Sequence, residues 1–393
     1  MKVGIIGGRL QGTEAAYLAK QAGYQTLLID RNPEVPGASL ADEFIVLDVL
    51  DNYRRAGELL RSVDLIIPAN EDILTLAKVH QLALEIDRPL AFDRRAYAVS
   101  SSKLTSNAFI QSLNIPVPAK WPNCRFPAIL KPSNGSGSTG VRTINTEGEL
   151  KKLLMELGSQ PGNPVVEEFV HGPSLSLEVA ALNGEPLALQ VTELEFDPGY
   201  DCKRVLAGKP VDPQVSAELR RIGCNLAESL HLTGIMDVEV MVDNDIPKVI
   251  EIDARLPSQT PTAVLHSTGI NMVELLAEIL VKGKLPAIDI ISKRTVIYEH
   301  IRVSGNLLEV TGEHIMASAG PLECHPNLYG FDQVITDFSG DQRKAWAATL
   351  ISSAPNFTEA KIKRHQALKS LMAEHNLKVF RDPGPAEIEV MAG

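Results

Sequence analysis

The stretch MDVEVMVDNDIPKVIEIDARLPSQTPT, residues 236–262 of this 393-residue chain, carries carboxylates at spacings that suit metal and phosphate chemistry. Two apolar alternating runs, Ile235 to Val242 and Pro247 to Ile252, flank the turn-rich Asp243-Asn244-Asp245, which predicts an antiparallel hairpin. Glu239 falls on one arm. Glu251 and Asp253 stand two apart on the other and share a face, roughly 6.5–7 Å from each other along the strand. Acids this close stay ionised only with a cation between them, and hard oxygen ligands favour magnesium bound to a nucleotide. Arg255, two further along the same face, has the reach to stabilise a transferring phosphoryl group. The rival reading is a surface hairpin with solvated acids; three inward acids among Val, Ile and Met speak against it.

What must position these groups is a chain long enough for two or three domains, with 44% hydrophobic and 22% charged residues, ordinary for a globular protein. The net charge of −11 and the lack of a basic block argue against a nucleic-acid partner. Cys124, Cys202, Cys224 and Cys324 lie far apart without CxxC spacing, so neither a zinc site nor a disulfide framework is expected, which fits a reducing cytoplasm. No run approaches membrane-spanning length, so no membrane partner is expected.

KVGIIG at residues 2–7 reads as a buried parallel strand, followed by a Gly turn, a helix over Leu10 to Ala22 and a strand over Gln25 to Ile29 that ends at Asp30. This is the first half of a Rossmann-like unit. Its glycine fingerprint is incomplete, because Gly7 and Gly12 fit while Arg9 stands where the backbone must approach a pyrophosphate. Further βα units follow: a strand at Asp64 to Pro68, a helix from Asp72 to Glu85 and a short strand at Pro89 to Phe92. Open parallel sheets bind ligands at the carboxyl ends of their strands, where Leu10, Gln11, Asn70 and Glu71 would line a pocket. Between Arg94 and Gln111 the chain is expected to be helical and polar, with Lys103 preceded by three serines.

FPAILK is a strand ending in Lys131, and PSNGSGSTG after it is a Gly/Ser loop (Ser133, Gly135, Ser136, Gly137, Ser138, Gly140) whose N–H groups suit phosphates. It is not a Walker A loop. The strand PVVEEFV then runs into His171-Gly172-Pro173 and offers backbone groups to an adenine edge at Glu167 and Val170. Ser174, Ser176 and Glu178 alternate on one face of the next strand. The segment from Glu195 to Pro210 reads as a long loop of the lid type, carrying Lys203 and Arg204. Beyond Pro286 only Tyr298-Glu299-His300 has chemical possibilities, and the region is expected to be a small α/β cap or part of a homodimer interface.

Taken together, Lys103, Lys131 with its loop, VVEEFV and VEV…VIEIDAR resemble the ATP-grasp ligase superfamily over roughly residues 90 to 290. GGRLQGTEAAYLAKQAG, GIMDVEV, VIEIDARLPSQTPTAV, IYEH and GYDCKR are most similar to the ligases of pyrrolysine biosynthesis, which join 3-methyl-D-ornithine to the ε-amine of lysine. The resemblance implies an α/β ATP-grasp architecture: a Rossmann-like domain at 1–93, an ATP-grasp region at 94–290 with a lid subdomain near 115–172, and a C-terminal α/β domain at 291–393. It implies that Lys103 and Lys131 contact ATP phosphates under the Ser133 to Gly140 loop, that Glu167, Glu168, Phe169 and Val170 hold adenine, and that Glu239, Glu251 and Asp253 bind two magnesium ions. Arg255 and a lid cation, Lys203 or Arg204, would stabilise the phosphoryl group. Glu178 and Asp237 would hold the diamino acid, helped by Ser174, Ser176 and Ser258, and Glu71, Leu10 and Gln11 the incoming lysine. Ser174 departs from the family, which often has a ribose-binding acid there. The alternatives are another ATP-grasp amino-acid ligase, a carboxylase-type ATP-grasp enzyme, a non-catalytic nucleotide sensor and, more remotely, a nicotinamide-dependent oxidoreductase.

Overall fold

A computed structural model describes residues 1–133, 138, 140–157, 164–338 and 345–385. The first part is β1 (Lys2–Ile6), α1 (Leu10–Gln21), β2 (Gln25–Asp30), β3 (Glu43–Val46), α2 (Tyr53–Leu60), β4 (Leu65–Pro68) and α3 (Ile73–Glu85). Its sheet has the order β3-β2-β1-β4, and all its pairs are parallel. Val3, Ile5, Leu28 and Ile67 are buried, as expected for strands covered on both faces. β3 and α2, four and eight residues long, escape the sequence reading because they are short, although Ala56, Gly57 and Leu60 form one buried face of α2. The strand expected at Pro89 to Phe92 reduces to a single bridge, Leu90 to Ile66.

The helical stretch expected between Arg94 and Gln111 consists of two helices, α4 (Arg94–Ser100) and α5 (Lys103–Ser112). Ser102 caps α5 by accepting from Thr105 N, so the serines before Lys103 end one helix and start the next. Then come β5 (Ala128–Lys131), β6 (Arg142–Ile144), α6 (Glu147–Leu157) and β7 (Val165–Glu168); the strands form a small antiparallel sheet, β6-β5-β7. Gly135, Ser136 and Gly137 lie outside the described residues.

The remainder builds one large sheet. Its elements are β8 (Ser174–Leu182), β9 (Glu185–Phe196), β10 (Cys202–Ala207), α7 (Pro213–Leu230), β11 (Gly234–Asp243), β12 (Ile246–Asp253), α8 (Thr260–Thr268) and α9 (Met272–Leu280). They continue into β13 (Thr295–Ser304), β14 (Leu307–Val310), α10 (His314–Ala317), β15 (Glu323–Pro326), β16 (Gln333–Thr336), β17 (Ala345–Ala354), α11 (Phe357–Glu374) and β18 (Val379–Arg381). The order is β12-β11-β8-β9-β10-β13-β17-β16-β15, with β14 on β13 and β18 on β14. The sheet therefore continues through the division expected near 290, because β10 pairs directly with β13. On α7, Val215, Leu219, Ile222 and Leu226 are buried with Leu177 and Val179 of β8 in one cluster, the 3.6-residue stripe of a core-facing helix.

The lid expected over Glu195 to Pro210 is not a loop. β9 and β10 are antiparallel partners deep in the large sheet, and only the turn between Phe196 and Cys202 matches the Pro-Gly punctuation. Lys203 and Arg204 are accordingly buried strand residues, 5% and 7% exposed. Among the described residues no single helix is long and apolar enough to cross a membrane.

Candidate active site

Asn244 and Asp245 both have positive φ, the two-residue turn geometry that matches strand twist, and they set the register of β11 on β12. Glu239 faces Glu251 and Asp237 faces Asp253, with a bulge just after Glu239. Four carboxylates thus occupy adjacent cross-strand positions, one more than the sequence reading set in the metal site. All four line a cavity of about 790 Å³. A second cavity, of about 580 Å³, lies toward the small β6-β5-β7 sheet, and both are lined by Glu239, Glu251 and Ser138. The paired glutamates stand where the two spaces meet.

The second cavity has the parts a nucleotide needs. Phe169, Val170 and Gly172 follow β7 on its wall, with Met241 and Ile250 from the hairpin. Gly172 has φ +144°, and a Cβ there would lie 1.9 Å from Val242 O, so glycine is required for the connection to pass against β11. Lys103, at the start of α5, reaches Glu251 Oε1 at 2.9 Å, and its N–H donates to Ser133 O at 2.8 Å, tying α5 to the start of the Gly/Ser loop. Lys131 forms a buried ion pair with Glu167 and donates to Ile250 O at 3.3 Å. Glu167 therefore balances a lysine charge under the cavity, while Glu168 accepts from Lys248 and Ala119 N. Gly140, with φ +81°, closes the loop.

The first cavity reaches the carboxyl ends of β1 and β4. Leu10, Gln11, Asn70 and Glu71 line it, with Ser258 from the other side. The glycine turn there is explained by packing: a Cβ on Gly12 would sit 2.0 Å from Gly7 O, and one on Gly7 2.3 Å from Ala69 O. Asp30, the residue a dinucleotide ribose would need, accepts from Gly8 N at 2.8 Å. This argues against the nicotinamide alternative.

Behind the hairpin the arrangement differs from the expected one. Ser176 and Glu178 are fully buried on β8 beside Asp237: Ser176 Oγ donates to Asp237 Oδ1 at 2.6 Å and to Glu178 Oε1 at 3.2 Å. Of these three, Asp237 alone lines the substrate-side cavity, and Ser174 lines the second cavity instead. Burial pushes Glu178 up to about 7. Burial, then the neighbouring Glu251, push Glu239 up to about 8, and burial with Glu239 and Glu178 raises Asp237 well above the usual carboxylate range. Burial comes first among these causes, joined at Glu239 and Asp237 by repulsion from neighbouring carboxylates, and a cation at the hairpin would relieve that repulsion. Among the described residues no three His, Cys, Asp or Glu side chains converge to cage a metal by themselves. Magnesium fits the donor set nonetheless, since it commonly keeps waters and phosphate oxygens and takes only one or two carboxylates.

Arg255 is 5% exposed and acts as a clamp between the hairpin and the N-terminal sheet. It donates to both Asp253 oxygens at 3.0 and 2.6 Å, to Glu71 at 3.1 Å, to Asn70 O at 2.9 Å and to Gln11 at 3.2 Å, and it stacks over Tyr97 at 5.1 Å. With every direction of its guanidinium engaged, it does not line either cavity as a phosphoryl group would require. Lys203 and Arg204 likewise have carboxylate partners, Asp382 for both and Glu299 and Glu195 for Arg204. Glu299 also pairs with Arg364, and His300 meets Thr349 at 2.9 Å, so Tyr298-Glu299-His300 is part of the sheet's packing.

Glu313, on the wall of the first cavity, escapes the sequence reading. Ser258 Oγ donates to it at 2.7 Å, and burial raises its carboxyl. An acid in the short GEH turn has no local pattern that points to Ser258, 55 residues away.

Residues 100–259 match the family model described as an ATP-grasp domain. The 3-methyl-D-ornithine–L-lysine ligase of Methanosarcina acetivorans is 38% identical over 314 residues, covering 80% of this chain and 83% of that protein. The enzyme of the same name from Methanosarcina mazei is 37% identical, with 80% and 81% covered. Among solved structures, an ADP complex of N5-carboxyaminoimidazole ribonucleotide synthetase superposes with a TM-score of 0.70 at 18% identity, over 95% of this chain and 97% of that one. An L-amino acid ligase from Bacillus licheniformis superposes with a TM-score of 0.67 at 17% identity, covering 94% and 97%.

Proposed function

Because this chain belongs to the ATP-grasp ligase family of its Methanosarcina relatives, we propose that it joins 3-methyl-D-ornithine to the ε-amine of L-lysine in pyrrolysine biosynthesis. It is an ATP-dependent carboxylate–amine ligase, and its family uses ATP and magnesium. The observation that carries the substrate reading is the meeting of two cavities at Glu239 and Glu251, one lined by anions suited to ammonium groups and one by lysines suited to phosphates.

A carboxylate is a poor electrophile, so the γ-phosphoryl group of ATP passes to the diamino acid's carboxylate oxygen, giving an acyl phosphate and ADP. Lys103 and Lys131 hold phosphates at the junction beside Ser138 of the Gly/Ser loop, and the backbone of Glu167 to Val170 receives adenine. Magnesium, two ions in this proposal, would be held by Glu239, Glu251 and Asp253 and would neutralise phosphate charge. Asp237, supported from behind by Ser176 and Glu178, holds an ammonium group of the diamino acid. Glu71, Leu10 and Gln11 receive lysine, whose ε-ammonium, with a reference pKa of about 10.4, must give up its proton before attack. The neutral amine adds to the acyl carbonyl and phosphate leaves, forming the amide. Arg255 positions Asp253 and Glu71 for these tasks.

The proposed compartment is the cytoplasm, supported by four unpaired cysteines. A homodimer through the C-terminal region is also proposed, supported by Val379 and Phe380, 37% and 41% exposed on edge strand β18, and sedimentation velocity tests it. For the site itself, Glu251→Gln is expected to abolish ADP formation while the thermal melt stays within a few degrees of the parent. Retained turnover would remove the metal assignment.

A further inference from the structure

The C-terminal segment reaches back to the second cavity. β18 is pinned to β14, and Asp382 directly follows it. Asp382 Oδ1 accepts from Lys203 Nζ at 2.7 Å, Oδ2 accepts from Arg204 at 2.6 Å and Arg364 at 3.1 Å, and Pro383 O accepts from Lys203 Nζ at 2.7 Å. The next two residues, Gly384 and Pro385, line the cavity together with Lys203, Glu195 and Tyr200. One short segment thus closes part of the wall and fixes the position of a cation on it.

Lys203 is 5% exposed, and a buried ammonium is stable only with partners. Two of its three donors go to the segment, which leaves one N–H on a side chain that lines the cavity. Arg204 differs: Glu195 and Glu299 hold it independently of Asp382, so loss of Asp382 leaves it anchored. Asp382 itself is kept below the ordinary carboxylate range by Arg204 and Lys203, against the opposing effect of burial. The location also matters. Leu194, beside Glu195, pairs with Ser174 on β8, and the Ser174 hydroxyl is buried on the wall of the same cavity without a hydrogen-bond partner among the described residues. Unpaired Ser174 and directed Lys203 both belong to the wall formed by β8, β9 and β10.

We propose that Asp382 to Pro385 form part of the nucleotide-binding site, with Asp382 the positioning residue that holds Lys203 toward the bound nucleotide. This rests on the reading of the second cavity as the ATP site. Titration calorimetry with MgADP and initial-rate kinetics on the full chain test it. Asp382→Ala is expected to weaken MgADP binding about tenfold and to raise KM for ATP by a similar factor. kcat and KM for the diamino acid should stay within about twofold, a split that general loss of structure would not produce. Asp382→Glu should recover most of the affinity. A chain ending at Arg381 should lose at least as much affinity as Asp382→Ala, and one ending at Pro385 should stay within about twofold of the parent. If the chain ending at Arg381 does not fold, the alanine and glutamate variants decide. A folded Asp382→Ala protein that binds MgADP like the parent, or equal losses in the two shortened chains, would overturn the role of the segment alone. No MgADP binding by the parent would overturn the reading of the cavity itself.

Discussion

Replacing Arg255 by Met tests whether the clamp between hairpin and N-terminal sheet is an energetic feature of the site. The side chain makes five hydrogen bonds of 2.6 to 3.2 Å, two of them to Asp253. Met keeps much of the volume over Tyr97 but strands Asp253 beside Asp237 and Glu251. Removing one partner of a buried pair costs roughly 3–5 kcal/mol. Asp253 and Glu71 retain 24% and 45% side-chain exposure, so solvent screens part of the loss and the lower end, about 3 kcal/mol, applies. That is about a hundredfold in the unfolding equilibrium. Urea denaturation followed by far-UV circular dichroism at pH 7.5 measures it. Arg255→Lys should recover less than half, because an ammonium cannot make the two-pronged contact with Asp253. Adding Asp253→Asn to Arg255→Met should return about 1 kcal/mol or more, since the stranded carboxylate is gone. A loss under about 1 kcal/mol for Arg255→Met, or strict additivity in the double variant, would refute the clamp.

Glu14 lies at the contact of α1 with α8, where it accepts from Thr262 N at 2.6 Å, and burial pushes it from 4.5 up to about 7. The folded state therefore holds this proton more tightly than the unfolded chain, and stability falls as pH rises from 4.5 through 7. At 1.36 kcal/mol per pH unit the loss reaches about 3 kcal/mol above pH 7. Glu14→Gln, neutral throughout, should gain most of that at pH 8 and nothing near pH 4.5 in parallel melts, and a difference independent of pH would contradict the assignment. Asp237→Asn should raise KM for the diamino acid by about 10- to 100-fold, the worth of one charged hydrogen bond, with KM for ATP within about twofold. An unchanged diamino-acid KM would remove Asp237 from that role.

Short-range patterns gave most of the architecture. Apolar runs between glycines marked β1, β2 and β4, period 3.6 marked α7, and Asp243-Asn244-Asp245 marked the hairpin, because each is specified within a few residues. The break between α4 and α5 at Ser102 and the short β3 and α2 are local misses, and the other failures are non-local. Asp197-Pro198-Gly199-Tyr200 signals a break, and the sequence shows neither how short that turn is nor that Lys203 and Arg204 would pair with carboxylates from β13 and the C-terminal segment. Alternation places Ser174, Ser176 and Glu178 on one face, yet only the pairing of β8 with β11 sets Glu178 beside Asp237 and Ser176 beside Glu239. The glycines of the first turn are legible as a turn; that they serve the packing of Gly7 against Ala69, and not a pyrophosphate, is visible only once β1 and β4 are neighbours. Asp237 stands two before Glu239 and so shares its strand face on sequence alone, whereas Glu313 is visible only through its tertiary contact with Ser258.

The most direct measurement of the central claim is ADP release in the presence of MgATP and 3-methyl-D-ornithine, with and without L-lysine, followed by mass determination of the product. Turnover should depend on both amino acids and give a product whose mass equals their sum less one water. No ADP release at saturating substrates, or a product of another mass, would contradict it.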